Sequence, residues 1–153
     1  MEIPIELPLD ADGFLRRECP TCELEFKWHH GPTEGTPDGF VEPPVYWCPR
    51  CGRSAKSESW WTPAQLDYQQ QVAGASVGDI VGDMLKDAFT PNKRSMISFE
   101  VSPIEVSPMP DPLVEPDDMV MVTSPCHAWE PVKVPADANA PFYCLACGQP
   151  YVV

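Results

Sequence analysis

Three Cys-x-x-Cys pairs carry the chemistry that this chain offers. Cys19-Pro20-Thr21-Cys22 and Cys48-Pro49-Arg50-Cys51 stand in the first third. Cys144-Leu145-Ala146-Cys147 stands near the end, with Cys126-His127 upstream of it. Two residues between cysteines make a sharp turn, so both sulfurs can face one ion while backbone N–H groups point at those sulfurs. The eight side chains sort into two groups of four: Cys19, Cys22, Cys48 and Cys51, then Cys126, His127, Cys144 and Cys147. Each group suffices for one tetrahedral ion, so two Zn2+ per chain are expected, both structural. Iron is the alternative in the four-cysteine group.

Adjacent residues on a strand point to opposite faces, so Cys126 and His127 can share an ion only if the chain bends there. Pro125 is compatible with such a bend. Otherwise the second group is three cysteines completed by water or another side chain. Redox catalysis by these pairs would need a strand followed by a helix amino terminus in an α/β pattern, and no βαβ unit surrounds any of them. No catalytic residue is expected. Glu130, the nearest candidate base for an opened second site, reads as a solvated loop carboxylate, and His29-His30 as a solvated turn.

The elements that must position these groups are short. Phe14–Arg17 and Leu24–Trp28 flank the first pair as hairpin arms, His29–Pro44 is a loop, and Val45–Trp47 is a strand entering the second pair. Gly52 follows Cys51 where a tight knuckle needs positive φ. Thr62-Pro63-Ala64-Gln65 is a capping box that starts a helix to about Val72. Gly74 and Gly78 punctuate, and a second helix is expected over about Ser76–Phe89. Its apolar stripe of Val77, Ile80, Val81, Met84, Leu85 and Ala88 is expected to be core. Ile97–Val101 reads as a strand, and the stretch 102–118, with five prolines among acids, as an extended linker. Met119–Thr123, Val132–Val134, Phe142–Cys144 and Tyr151–Val153 read as strands around the second group. Met1–Gly13 alternates Ile3, Ile5, Leu7 and Leu9 with Pro4, Glu6, Pro8 and Asp10, as an edge strand or a groove-bound tail would.

The whole-chain numbers bound the partners. The chain has 153 residues, 20 of them proline, too broken for one large regular core, so bound metal is expected to supply stability. Seven cysteines cannot all pair as disulfides. The acidic first residues lack a secretory pattern, and no apolar run approaches a membrane span. A reducing cytoplasm, and no membrane contact, is the expectation. The net charge is −13 and uneven: Phe14–Trp61 holds six Lys/Arg against seven acids, whereas the remainder holds four against sixteen. Nucleic acid could be met only through Arg16, Arg17, Lys27, Arg50, Arg53 and Lys56. Offsetting thiolates and local acids is the favoured role of that set. Trp28, Trp47, Trp60 and Trp61 could form a recognition surface or roof a small core, and the two readings stand level.

The first group, with its flanking hairpins over about 14–56, resembles the zinc ribbon superfamily in its four-cysteine form. The second resembles a degenerate ribbon over about 119–153, and the whole chain resembles small bacterial proteins with paired zinc ribbons. The resemblance implies a small α+β fold with two zinc-ribbon β modules flanking a short helical insert. The expected segments are 1–13, an extended lead-in; 14–61, ribbon 1; 62–91, the helical insert; 92–118, a strand plus linker; and 119–153, ribbon 2. The resemblance is too general to carry an activity; full structural quartets with no catalytic residue beside them point to a non-catalytic adaptor or protein-interaction module, with another protein as partner. The alternatives are a nucleic-acid-associated factor using ribbon 1, or an acidic mimic of nucleic acid.

Overall fold

A computed structural model describes residues 5–88, with side chains through Met84, and residues 108–153. The expected strand at Ile97–Val101 and the first part of the linker, 102–107, lie outside the described residues. The fold is small α+β. The chain divides into two compact units, one of Leu7–Gln65 with Leu113–Val153, the other of Met1–Glu6 with Leu66–Pro112.

The first unit is built from four hairpins. β1 (Phe14–Glu18) pairs with β2 (Glu25–His29), β3 (Val45–Trp47) with β4 (Ser54–Lys56), β5 (Met119–Val122) with β6 (Val132–Pro135), and β7 (Phe142–Tyr143) with β8 (Pro150–Tyr151). The two larger hairpins do not stay separate. β2 and β6 pair antiparallel, giving one four-stranded sheet in the order β1-β2-β6-β5. Two-stranded hairpins are marginal alone, and joining them buries both inner edges.

Period-2 alternation gives this sheet two unlike faces. Phe26, Val132 and Val134 are buried on one, where they meet Trp60, Tyr46, Phe142, Leu145 and Tyr151 in the main core. Phe26 and Trp60 stand edge to face at 5.7 Å, and Trp28 and Trp60 at 6.2 Å. Each such pair adds about 1 kcal/mol beyond area burial. The other face is cationic. Arg16 lies opposite Lys27, and Lys27 opposite Lys133, so three cations stand side by side across three strands. Like charges directly opposed are destabilising unless something neutralises them.

Acids remote in sequence do so. Asp10, fully buried, accepts from Lys133 Nζ at 2.8 Å and Lys27 Nζ at 3.2 Å. Its other oxygen accepts from the backbone N–H groups of Asp12 and Phe14. Glu115 meets Arg16 at 2.9 Å and Lys27 at 3.0 Å, and Asp118 meets both. Asp12 takes Lys133 at 2.6 Å. The described part of the lead-in, residues 5–13, thus forms no strand, and its later residues are bound to the sheet through Asp10 and Asp12. The linker's end, 113–118, is no free tether, because Glu115 and Asp118 are counterions of the sheet and Asp117 accepts from Ala11 N–H. Arg16 pairs with the local acid Glu25, as expected, but Arg16 and Lys27 also neutralise Asp10, Glu115 and Asp118, which lie outside the first module.

The helical segment is one helix, α1 (Pro63–Ala88), where the sequence suggested two. Its start is the expected capping box: Gln65 N–H donates to Thr62 Oγ1, and Thr62 N–H to Gln65 Oε1, both at 3.1 Å. Gly74 weakens a helix by about 1 kcal/mol but does not break it, and no proline intervenes. Of the stripe expected to be core, Val77, Val81 and Met84 are exposed and Ile80 is half-buried, and the side chains of Leu85 and Ala88 lie beyond those described; Val72 and Ala75, which are not in that stripe, are buried. No described helix is long and apolar enough to cross a membrane.

Candidate metal centres

Each hairpin turn delivers two candidate ligands. The β1–β2 turn carries Cys19 and Cys22, β3–β4 carries Cys48 and Cys51, β5–β6 carries Cys126 and His127, and β7–β8 carries Cys144 and Cys147. The ligand atoms of Cys19, Cys22, Cys48 and Cys51 all lie within 4.8 Å of one another, and so do those of Cys126, His127, Cys144 and Cys147. The two groupings are those that the spacing suggested.

The separations fit a tetrahedral ion. Metal–sulfur bonds of about 2.3 Å require sulfurs about 3.8 Å apart. Cys19 and Cys51 Sγ stand 3.7 Å apart, and Cys22 and Cys48 Sγ 3.8 Å. In the second cluster Cys126 and Cys147 Sγ are 3.5 Å apart, and His127 Nδ1 lies 3.5 Å from Cys144 Sγ. A sulfur and an imidazole nitrogen on one such ion would be about 3.6 Å apart. All seven cysteines are free thiols.

The backbone is arranged for thiolates. Thr21 and Cys22 N–H donate to Cys19 Sγ, and Arg50 and Cys51 N–H to Cys48 Sγ, at 3.3–3.4 Å. Without an ion, burial dominates and pushes the Cys22 thiol up to about 11. A bound cation would reverse that preference outright. Positive φ closes the knuckles at Gly52 (74°) and Gly148 (76°), and at Glu23 (59°) in the first. Glu23 is the only described non-glycine residue with that conformation.

Bending at Pro125 and Cys126, then a turn closed by Glu130 N–H on His127 O, brings the adjacent Cys126 and His127 to one point. Two residues that sequence reasoning passed over hold them there. Ser124, buried, accepts from His127 N–H at 3.2 Å and lies 3.1 Å from Cys126 Sγ. The Trp129 ring stands 5.2 Å from that of His127, edge to face, and packs on Phe40. Trp129 O also accepts from Thr33 Oγ1 of the long loop. A serine two residues before a cysteine was the available signal; nothing marked Trp129. His29 and His30 belong to neither cluster, and His29 Nδ1 lies 2.9 Å from Gly31 O.

The clusters differ in exposure. Cys19 and Cys48 are buried and Cys22 and Cys51 half-buried, whereas Cys126 and Cys147 are exposed. Their second knuckles also clasp one another. Trp47 N–H donates to Leu145 O, and Tyr143 N–H to Pro49 O, at 2.9 and 3.0 Å. A Cβ built on Gly148 would lie 2.5 Å from the Trp47 ring, and one on Gly52 2.9 Å from the Tyr143 ring. Trp47 and Tyr143 both directly precede a knuckle cysteine, so the contact is reciprocal, as in an isologous dimer.

Beside this clasp lies a cleft of about 580 Å3 with Arg17, Trp28, Phe40, Tyr46, Trp61 and Glu130 among its lining. The four tryptophans between Phe14 and Trp61 therefore divide: Trp60 is core, Trp47 serves the clasp, and Trp28 and Trp61 wall the cleft. Glu130 is half-buried rather than solvated, and burial with Glu42 nearby pushes its carboxyl upward. The chain matches no protein-family model, no curated protein and no solved structure.

Proposed function

We propose that this chain is a non-catalytic protein-interaction module whose recognition surface is held by two structural zinc ions. The observation that carries the reading is the closure of both quartets: each has four donors at tetrahedral spacing, and neither keeps a position for a substrate. Zinc is preferred to iron because it suits both a tetrathiolate set and one with an imidazole. In this reading 14–61 and 119–153 are the two ribbons, 62–91 is a helical insert and 92–118 a strand and linker. The cleft beside the clasp, with its half-buried aromatic walls, is the surface that a protein partner would cover. A reducing cytoplasm keeps seven thiols available to metal.

The nucleic-acid alternative is weakened because Arg16 and Lys27 are already paired with carboxylates, leaving Arg50, Arg53 and Lys56 as its remaining exposed or half-buried cations. The test is elemental analysis plus affinity capture from the native cell, with metal-loaded and chelator-stripped chain as parallel baits. Two zinc ions per chain are expected, with a protein retained by the loaded bait alone. Fewer than two ions, or a loaded chain that retains no protein, overturns the reading. Salt-sensitive retention of nucleic acid lost on Arg50→Ala with Arg53→Ala would replace it.

A further inference from the structure

The cationic face of the sheet is generously neutralised: Arg16 meets three carboxylates, Lys27 three and Lys133 two. Arg17, on the opposite face, has no carboxylate partner among the described residues. It is only 8% exposed, and its Nε has no hydrogen-bond partner. Its guanidinium is sandwiched between indoles, 4.5 Å from the Trp28 ring centre and 4.6 Å from that of Trp61. Stacking offsets part of the cost of burying a cation but supplies no acceptor for its N–H groups. Burial pulls its pKa down to about 10, as befits a cation with no counterion. In a chain with 23 acids and 10 Lys/Arg, a buried cation without an acid is the exception.

Arg17 lines the cleft beside the clasp, and that cleft is of a size that takes side chains. Phe40 and Tyr46 give it further apolar surface, and Glu42, Glu58 and Glu130 make it acidic elsewhere. Those three carboxylates and the net charge of −13 repel a polyphosphate. They attract a lysine or arginine.

We infer that this cleft is a docking site for a mixed-charge peptide segment of a protein partner, with one Asp or Glu carboxylate paired to Arg17 and a flanking cation facing Glu42, Glu58 and Glu130. The inference rests on the protein-interaction reading and supplies its chemistry. An end-on carboxylate accepts from a guanidinium with charge-assisted bonds, which a neutral amide of the same shape cannot match.

The test uses the full, zinc-loaded chain and three capped peptides: Lys-Leu-Asp-Leu-Lys, its Asn counterpart and its phosphoserine counterpart. Tryptophan fluorescence and the NMR signal of the Arg17 Nε–H report binding. The Asp peptide is expected to bind at least about tenfold more tightly than the Asn peptide. Arg17→Met, which keeps bulk and removes charge, should abolish that difference while two zinc ions stay bound. Should that variant fail to fold, a shift of the Arg17 Nε–H with the Asp peptide and not the Asn peptide decides in the unaltered chain. Equal binding of Asp and Asn peptides, tighter binding of the phosphoserine peptide, or no binding at millimolar concentration overturns the inference. A zinc-dependent partner still retained by Arg17→Met would leave the interaction module standing and remove this cleft from it.

Discussion

Asp10 is the residue on which the cationic face of the sheet depends. Burial raises a carboxyl's pKa, but Lys133, Lys27 and two backbone N–H groups outweigh it and hold Asp10 far below its ordinary 3.8. The folded state therefore binds fewer protons here than the unfolded chain. The associated stability is complete above about pH 4 and drains away as pH falls through the folded value. Asp10→Asn should destabilise the protein by about 3 kcal/mol at neutral pH, because two buried ammonium groups lose their shared partner. Urea denaturation at pH 7 and at acid pH checks this: the gap between variant and parent should narrow in acid. The clasp gives a second test at this scale. Gly148→Ala would press a methyl into the Trp47 ring from a backbone at φ 76°, and Gly52→Ala would do the same to Tyr143 at φ 74°. Each should cost about 1–3 kcal/mol, with Gly148→Ala the worse because its contact is closer.

At the scale of elements, α1 shows how propensity and context divide the work. Thr62 and Gln65 fix its start by satisfying backbone groups reciprocally, a local interaction visible in four consecutive residues. Gly74 reads as a break only if glycine's freedom is used, and here it stays helical. A Cβ at Gly74 would meet nothing within 4 Å. Gly74→Ala should therefore stabilise the helix by about 0.5–1 kcal/mol, seen as greater far-ultraviolet ellipticity and a higher urea midpoint. A turn at that position would predict the opposite sign. The sheet makes the complementary point. Each hairpin follows from its own turn and alternation, but the pairing of β2 with β6 is a choice between distant edges.

For the whole molecule, the two clusters form one device. Their second knuckles share two backbone hydrogen bonds and two glycine–aromatic contacts, so distortion at one reaches the other without a long path. Loaded with zinc, the chain should give up the ion at the exposed Cys126–Cys147 side first when a chelator is titrated in. Cys144→Ser, which removes a buried ligand of that cluster, should also weaken retention of the other ion by about tenfold, read by chelator competition. Retention unchanged within error would mean that the clasp carries no coupling.

The sequence by itself determined the two quartets, the hairpin turns that present them and the capping box of α1. These depend on residue type and short spacing: a thiolate pair needs two intervening residues, a knuckle needs positive φ, and a cap needs an acceptor three residues from its donor. Only the tertiary structure decided which edges joined, that Asp10, Glu115 and Asp118 would lie on Lys27 and its neighbours, and that Arg17 would be left without an acid. Charges have no period and interact through space across any length of chain, so no local pattern links Lys27 to Glu115 or Asp10 to Lys133. The exposed stripe at Val77, Val81 and Met84 has the same cause: periodicity says that a helix has an apolar face, not what that face will meet.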